Sequence, residues 1–188
     1  MSWAVFLDRD GVLTEAPLVD GRPTTPTLAR DLRLLPGTAE TVIALRALGA
    51  RIFVVTNQPD IARNTLDSSE LAVMHEGLSR ALQIDAVQVC PHDGWWCPCR
   101  KPRPGMLLEL AREWDVDLHA SWMVGDRWVD IAAGSAAGTR TILIDRPYSW
   151  SGTGSGMPPS DLVPDHRVDD LARAVRVITV RSREGRVH

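Results

Sequence analysis

Residues 6–13 carry the pattern that most constrains this chain: a short apolar run ends abruptly in Asp8, Arg9 and Asp10, followed by Gly11. The run 4–7 predicts a buried strand. In an open parallel sheet, ligands bind just beyond the carboxyl ends of the strands, where paired carboxylates can act as nucleophile, metal ligand, acid or base. The alternative is an ordinary polar turn, because Asp and Gly are common turn residues. These residues alone do not distinguish the two interpretations.

Apolar runs and helical patterns alternate along the chain. Further strands are predicted at 52–55, 86–89, 122–124 and 141–144, and helices at 38–48 (capped by Thr38), 67–82, from Pro104 onwards, and 129–137. This alternation predicts an α/β fold, a Rossmann-like three-layer sandwich with a mainly parallel central sheet. Because right-handed crossovers place the strand ends along one rim, we expect Asp8, Asp10, Thr56 and Asp126 to converge.

The segments outside this alternation are polar. Residues 14–36 are predicted to form a loop, as is 145–165, which is rich in Pro, Gly and Ser. The glycine-rich stretch 151–156 could alternatively cradle a phosphate, although it lacks the Lys-Ser/Thr ending of a P-loop. A closing helix is predicted at 169–178 and a frayed tail at 181–188. We expect one domain over 1–188, with a motif-bearing core at about 3–145.

Composition narrows the class of protein. The hydrophobic content of 44% and charged content of 24% are ordinary for a soluble globular protein. A net charge of −3 gives no basic footprint for nucleic acid. No apolar run is long enough to span a bilayer, and the charges at 8–10 interrupt the first run before it could act as a signal peptide. We therefore predict a cytoplasmic protein with no nucleic-acid or membrane partner. A monomer is expected, although the sequence carries no specific signal for the oligomeric state.

Four potential zinc ligands lie close together at Cys90, His92, Cys97 and Cys99. Three thiolates and one imidazole complete a tetrahedral zinc shell with no open position, which is typical of a structural site. The alternative is that the cysteines are small buried hydrophobic residues. The other histidines have no comparable neighbours and are interpreted as structural or surface residues: His75, His119, His166 and His188.

Together these segments are similar to the four ordered motifs of the haloacid dehalogenase superfamily of phosphatases. The matching residues are 8–12, 56–58, Lys101, and 125–127 with Asp130. The block 90–106 resembles a narrower group that contains the D-glycero-D-manno-heptose 1,7-bisphosphate phosphatases and the histidinol-phosphate phosphatases. The intervals between the motifs are too short for a large cap domain.

The resemblance implies a magnesium-dependent phosphomonoesterase. Asp8 would be the nucleophile and form an aspartyl-phosphate, while Asp10 would act as general acid and then base. Magnesium would be bound by the Asp8 carboxylate, the Asp10 carbonyl and the Asp126 carboxylate. The transferring phosphoryl group would be stabilised by Thr56 and Lys101.

Further roles are implied around this centre. Asp130 would orient the second shell of the metal. By clamping its loop, zinc would direct Arg100 and Lys101 at the pocket, so that Arg100 could hold a second anionic group. The predicted substrate contacts are Asn57, Gln58, Arg63, Arg100 and Arg127.

A small phosphorylated sugar, such as D-glycero-D-manno-heptose 1,7-bisphosphate, is the leading substrate prediction. The chain departs from the group in lacking a Gly-Tyr-Val loop at 16–22 and in having Pro59 and Asp60 where Ser-Gly is usual. Histidinol phosphate or another small phosphomonoester is the alternative substrate. A catalytically silent, zinc-stabilised binding module is the alternative of a different class.

Overall fold

The computed structural model describes residues 2–94 and 96–184, and its centre is a six-stranded sheet. The described residues form eight strands, of which β2 and β3 make a separate hairpin and the other six make the sheet. They are β1 (Ala4–Leu7), β2 (Leu18–Val19), β3 (Arg22–Pro23), β4 (Arg51–Asn57), β5 (Ala86–Cys90), β6 (Trp122–Gly125), β7 (Arg140–Ile144) and β8 (His166–Val168). The sheet order is β5-β4-β1-β6-β7-β8, and every neighbouring pair in it is parallel. The predicted mainly parallel sheet is therefore confirmed.

Helices cover both faces of this sheet. They are α1 (Thr38–Ala47), α2 (Ser68–Leu82), α3 (Gly105–Trp114), α4 (Trp128–Ala137) and α5 (Leu171–Glu184). The alternation of side chains along β1 separates two cores, since Val5 and Leu7 pack with residues of α1, α2 and α5, whereas Ala4 and Phe6 pack with residues of α3 and α4. All four side chains are fully buried. The three-layer prediction is confirmed by this arrangement.

Helix starts follow local chemistry that was partly visible in the sequence. Asp67 caps α2 by accepting a hydrogen bond from the Ser69 backbone N–H at 2.7 Å, as its spacing predicted. The predicted Thr38 cap of α1 is wrong, because Gly37 occupies the cap position with φ 77°. The Thr38 hydroxyl instead donates to the Leu13 carbonyl, which ties α1 to the segment after β1.

Two elements lie in segments that were predicted to be loops. The region 14–36 contains the antiparallel β2–β3 hairpin and a 3₁₀ turn at Ala29–Asp31. Strand β8 extends the sheet beyond β7 and is held by Asp165, whose carboxylate accepts hydrogen bonds from the Thr141 N–H and hydroxyl, both at 2.8 Å. With three residues and no apolar run, β8 has no strand signal in the sequence.

The carboxyl-terminal helix is longer than predicted. Helix α5 continues to Glu184, so residues 181–184 of the predicted frayed tail are helical, and residues 185–188 lie outside the described residues. The intervals between strands hold only the elements named above, with no large cap domain in the described residues. The assignment of 1–188 to one domain stays a prediction. In the part of the chain that the structure describes, no helix has the length and apolar character needed to cross a bilayer.

A substitution of Phe53 would measure how much the core between the sheet and α3 contributes to stability. Phe53 is fully buried, with ring centroids 5.4 Å from Phe6 and 5.5 Å from Trp114. Phe53→Ala should lower the free energy of unfolding by about 3–5 kcal/mol through lost burial and a residual cavity, as measured by urea denaturation. Ile43→Ala, at a 64% exposed position in α1, should change it by less than about 0.5 kcal/mol. Equal effects of the two substitutions would contradict this packing.

Candidate active site

The carboxyl ends of three neighbouring strands surround a cavity of about 1170 Å³. β1 leads into Asp8 and Asp10, β4 contains Thr56, and β6 leads into Asp126; all four side chains line the cavity. The predicted convergence is confirmed. Its physical cause is the sheet order, since β4 and β6 are the two neighbours of β1 and all three run in the same direction.

Lys101 lies at the centre of the charged cluster and is 1% exposed. Its ammonium group is 2.9 Å from Asp8 Oδ1 and 2.6 Å from Asp130 Oδ1, and it donates to the Val55 carbonyl at 2.8 Å. Burial by itself would lower the pKa of Lys101, but the carboxylates of Asp130 and Asp8 outweigh burial and raise the pKa above its usual value. The ammonium group is therefore charged at any physiological pH.

The acids of the cluster outnumber this cation. Asp8, Asp126 and Asp130 have carboxylate oxygens within 4.8 Å of one another. Burial raises the pKa of Asp8 to about 6, with Lys101 opposing the shift and Asp130 and Asp10 adding to it. Burial, then the charges of Asp8 and Asp130, hold the pKa of Asp126 well above its usual value. Three buried carboxylates around one ammonium group leave negative charge that a bound cation would neutralise.

The donor set fits a hard divalent cation such as magnesium. Carboxylate oxygens are the ligands that this cation prefers. Among the described residues, no donor reaches the buried Oδ1 atom of Asp126. Asp130 contacts Lys101 and also accepts a hydrogen bond from the Arg127 N–H at 3.0 Å through Oδ2. Its predicted second-shell role stays a prediction.

Asp10 is held by hydrogen bonds to both of its carboxylate oxygens. Arg9 donates to it bidentately through Nε at 3.0 Å and Nη2 at 2.9 Å. The hydroxyls of Thr14 and Thr25 and the amide of Gln58 also donate to it. Asp10 nevertheless lines the cavity, so its carboxylate is both oriented and accessible to a substrate.

The placement of Gln58 does not support its predicted contact with substrate. Its side chain is fully buried and does not line the cavity. Its Nε2 atom donates to Asp10 at 3.0 Å and to the Thr56 hydroxyl at 2.9 Å. Gln58 therefore supports two cavity residues from behind. The sequence could not show this, because the position of Gln58 next to Asn57 is the same whether its side chain points into the cavity or towards the protein interior.

Arg9 and His75 are site residues that sequence reasoning missed. Arg9 is fully buried, and its Nη1 atom lies 3.0 Å from His75 Nε2. Burial, followed by the charge of Arg9, lowers the pKa of His75 to about 4. The imidazole is therefore neutral and accepts a hydrogen bond from the guanidinium, which has only donors. An arginine between two aspartates at a buried strand end was the available signal.

Asn57 fixes the backbone of Lys101. Its Nδ2 atom donates to the Lys101 carbonyl at 3.0 Å, and the Lys101 N–H donates to Asn57 Oδ1 at 3.1 Å. This reciprocal pair joins the end of β4 to the loop that carries the lysine. Asn57 also lines the cavity, and its contact with substrate stays a prediction.

The described cavity wall includes four arginines, and they differ in how far they are already paired: Arg22, Arg63, Arg100 and Arg127. Arg63 donates to both oxygens of Asp93, at 2.9 and 2.6 Å, and this pairing raises its pKa. Arg100 is 7% exposed and donates to the His92 carbonyl at 2.8 Å. Anionic substrate groups would meet positive charge on this wall. The substrate contacts predicted for Arg63, Arg100 and Arg127 stay predictions.

Two loops complete the cavity wall. Residues 19–25 of the β2–β3 hairpin line one part, and residues 151–155 line another. Ser155 donates to the Lys101 carbonyl at 3.3 Å, which places the glycine-rich loop beside the charged cluster. The alternative that 151–156 cradles a phosphate is not tested by this arrangement.

The four predicted zinc ligands come together at the end of β5, which contains Cys90, and in the loop that follows it. The sulfur atoms of Cys90, Cys97 and Cys99 lie 3.7, 3.1 and 3.5 Å from His92 Nδ1, and all four ligand atoms lie within 4.8 Å of one another. Burial raises the pKa of Cys90 and of Cys99, so thiolates at these positions would need a cation beside them. Three sulfur ligands and one nitrogen ligand fit zinc.

The segment after β7 contributes Tyr148 and Ser149, which lie in the predicted loop 145–165 and were not among the predicted site residues. The Tyr148 hydroxyl donates to Asp126 Oδ2 at 2.7 Å, and the Ser149 hydroxyl donates to the Asp126 carbonyl at 2.6 Å. Burial, then the charge of Asp126, raises the pKa of Tyr148, so the phenol stays protonated and acts as a donor. The available signal was a single tyrosine just after a predicted strand.

Comparisons with known proteins identify relatives of this chain. The model of the haloacid dehalogenase-like hydrolase family matches residues 26–138. A D-glycero-beta-D-manno-heptose-1,7-bisphosphate 7-phosphatase of Pseudomonas aeruginosa is 32% identical over 89% of this chain and 93% of its own length. A D-glycero-alpha-D-manno-heptose-1,7-bisphosphate 7-phosphatase of Mycobacterium tuberculosis is 38% identical over 69% and 70%.

A similar fold is found in a crystal structure of the D,D-heptose 1,7-bisphosphate phosphatase from B. bronchiseptica, complexed with magnesium and phosphate. That structure matches with a TM-score of 0.77 and 30% sequence identity, and the match covers 95% of this chain and 99% of the other. The match therefore extends over nearly the whole of both chains.

His75 should make the fold sensitive to acid. Because its pKa is about 4 in the folded state and about 6.5 in the unfolded state, the unfolded state binds the proton first as pH falls. The contribution of His75 to the free energy of unfolding is complete above about pH 6.5 and should be lost towards pH 4, by about 1–3 kcal/mol. Urea denaturation at pH 7 and pH 4.5 measures this loss.

His75→Gln keeps an acceptor for Arg9 but has no titrating group, so its loss of stability on acidification should be smaller than that of the wild type. His119→Gln, at an exposed position, should behave like the wild type. A wild-type and a His75→Gln protein that lose equal stability between these pH values would contradict the assignment.

Proposed function

The chain belongs to the haloacid dehalogenase-like hydrolases and is a phosphatase, and we propose that it removes one phosphate from a D-glycero-D-manno-heptose 1,7-bisphosphate. The observation that carries this proposal is Asp8 at the end of β1, with one carboxylate oxygen 2.9 Å from the buried ammonium group of Lys101. The relatives named above, which carry the heptose-1,7-bisphosphate 7-phosphatase name, support the substrate.

Asp8 serves as the nucleophile in the proposed reaction. Its carboxylate oxygen attacks phosphorus, the bond from phosphorus to the sugar oxygen breaks, and Asp10 gives a proton to that oxygen. Asp10 then takes a proton from water, which attacks the aspartyl-phosphate and releases inorganic phosphate and free Asp8. The hydrogen bonds from Arg9 hold Asp10 in one orientation for both proton transfers.

Lys101 and Thr56 stabilise the charge that develops on the phosphoryl oxygens. Lys101 is pre-positioned by its two ion pairs and by Asn57, so little reorganisation is needed during the reaction. Magnesium, bound by the carboxylates of Asp8 and Asp126 and by the Asp10 carbonyl, would reduce the repulsion between the nucleophile and the phosphate.

The second phosphate of the substrate finds positive charge elsewhere on the cavity wall. Arg100 is the proposed ligand of this phosphate, because it lines the cavity and directly precedes Lys101 in the chain. Planar guanidinium groups bind phosphate bidentately. Residues 16–22 lack the Gly-Tyr-Val loop that is usual in heptose bisphosphate phosphatases. Histidinol phosphate and other small phosphomonoesters are therefore the alternative substrates.

Asp8→Asn should abolish phosphate release. The amide is a poor nucleophile, so turnover should fall by about a thousandfold or more, while thermal unfolding shows that the fold is retained. The assay is release of inorganic phosphate with magnesium from both anomers of the heptose bisphosphate, with ³¹P NMR to identify the phosphate removed. Asp117→Asn, an equivalent change away from the cavity, should retain wild-type turnover.

Two outcomes would overturn parts of this proposal. Substantial turnover by Asp8→Asn would exclude Asp8 as the nucleophile. Faster turnover of histidinol phosphate than of either heptose anomer would replace the proposed substrate while leaving the mechanism intact.

We also propose that zinc binds Cys90, His92, Cys97 and Cys99 and stabilises the loop that carries Arg100 and Lys101. The support is a cluster of four ligand atoms of the right chemistry, with Cys90 and Cys97 buried. The Arg100 guanidinium donates a hydrogen bond to the His92 carbonyl. This bond links the cysteine and histidine cluster to the residue that directly precedes Lys101. Zinc would therefore fix the position of the lysine without taking part in the chemistry.

Elemental analysis should find one zinc per chain, and His92→Ala should lose it. Loss of about 3 kcal/mol of stability would lower the Tm by about 6–12 °C for a chain of this size. His119→Ala, at an exposed histidine outside the cluster, should keep both the zinc and the Tm. Zinc-free wild-type protein with an unchanged Tm would show that the cysteines are only packing residues.

The cytoplasmic location, the monomeric state and the absence of a nucleic-acid partner remain predictions from the sequence. Gel filtration of the purified protein at several concentrations would test the monomer.

A further inference from the structure

The segment that follows β7 forms hydrogen bonds to Asp126, the residue directly after β6. Tyr148 donates to the Asp126 carboxylate at 2.7 Å, and Ser149 donates to the Asp126 carbonyl at 2.6 Å. The Ser149 carbonyl in turn accepts a hydrogen bond from the Trp128 N–H at 2.9 Å. Tyr148 is 7% exposed and Ser149 is fully buried. Asp126 is therefore held through its side chain and its backbone by one short segment.

Tyr148 divides the two oxygens of the Asp126 carboxylate between two tasks. The Oδ2 atom accepts the phenol hydrogen bond, whereas no donor within the described part of the chain reaches the buried Oδ1 atom. A buried carboxylate oxygen without a partner is costly, and a bound cation is one arrangement that would satisfy it. One carboxylate oxygen of Asp8 lies within 4.8 Å of a carboxylate oxygen of Asp126. Fixing Oδ2 thus leaves Oδ1 as the oxygen available to a cation in the cluster.

Gly11 makes room for this contact. It has φ 82°, and a Cβ at this position would lie 2.0 Å from Asp126 Oδ2 and 2.9 Å from the Tyr148 hydroxyl. Only a residue without a side chain lets the turn after β1 approach the pair so closely. Three separate segments therefore converge on one hydrogen bond, which argues for a defined function of that bond.

We propose that Tyr148 is a positioning residue for the divalent cation of this site, acting through Asp126. The proposal rests on the proposed magnesium-dependent reaction for its biological meaning, but it concerns metal affinity and can be measured without turnover. By holding the carboxylate in one rotation, the phenol removes part of the entropy that cation binding would otherwise cost. Tyr148 is expected to touch neither the transferring phosphate nor the leaving oxygen.

Tyr148→Phe is the test, since it removes the hydroxyl and keeps the ring. Calorimetric titration of the substrate-free protein with Mg²⁺ or Mn²⁺ should give a dissociation constant about 10-fold higher than that of the wild type. In phosphate-release assays the magnesium concentration for half-maximal activity should rise in parallel, while KM for the substrate at saturating magnesium stays unchanged. Thr139→Val is the matched control, because Thr139 is also 7% exposed and its hydroxyl donates to the Gly134 carbonyl.

A second measurement leaves the sequence unchanged. The chain contains one tyrosine, so 3-fluorotyrosine labelling gives a single ¹⁹F resonance that reports on Tyr148. Titration with Mg²⁺ should shift that resonance with the dissociation constant found by calorimetry. This readout keeps the proposal testable if Tyr148→Phe does not fold.

The outcomes separate this proposal from the proposed function. Three results would each overturn the role of Tyr148. They are an unchanged metal dissociation constant in folded Tyr148→Phe, a raised KM with normal metal affinity, and a ¹⁹F resonance that does not shift on addition of Mg²⁺. A wild-type protein that binds no divalent cation would overturn it as well. Metal binding weakened by Tyr148→Phe in a protein that hydrolyses no phosphomonoester would support Tyr148 and reject the proposed function.

Discussion

One buried ammonium group, that of Lys101, organises the charged end of this fold. It forms ion pairs with Asp8 and Asp130 and donates a hydrogen bond to the Val55 carbonyl of β4. Without this cation, the acids that cluster at the strand ends would repel one another in a region with little solvent. With it, the carboxylates of Asp8, Asp126 and Asp130 still exceed the single ammonium group by two negative charges, which is the electrostatic basis for binding a divalent cation.

The position of Lys101 depends on parts of the chain that do no chemistry. It follows directly after the cysteine and histidine cluster, whose loop is joined to it through Arg100 and His92. From the other side, Asn57 at the end of β4 holds its backbone with two hydrogen bonds. A long, flexible side chain is thereby delivered into the interior from a loop, which would otherwise cost considerable conformational entropy.

A second layer of residues orients the carboxylates themselves. Arg9 and Gln58 hold Asp10, His75 holds Arg9, and Tyr148 holds Asp126. Asp10 and Asp126 face the cavity, whereas Arg9 is fully buried behind Asp10 and is itself held by His75. The carboxylates are thus oriented both by side chains behind the cavity wall, such as Arg9 and Gln58, and by one that lines the cavity, Tyr148.

The sequence by itself determined the order of elements and the strand ends at which charged residues gather, because burial imposes regular apolar periods on strands and helices. It also determined that Cys90, His92, Cys97 and Cys99 lie near one another, since four residues within ten positions of the chain cannot be far apart in space. Only the tertiary structure decided which partner each polar group has: Gln58 turned inwards, Arg9 against His75, Tyr148 on Asp126, and β8 pinned by Asp165. Those contacts join residues far apart in the chain or depend on which way a side chain turns, and neither has a local signature in sequence.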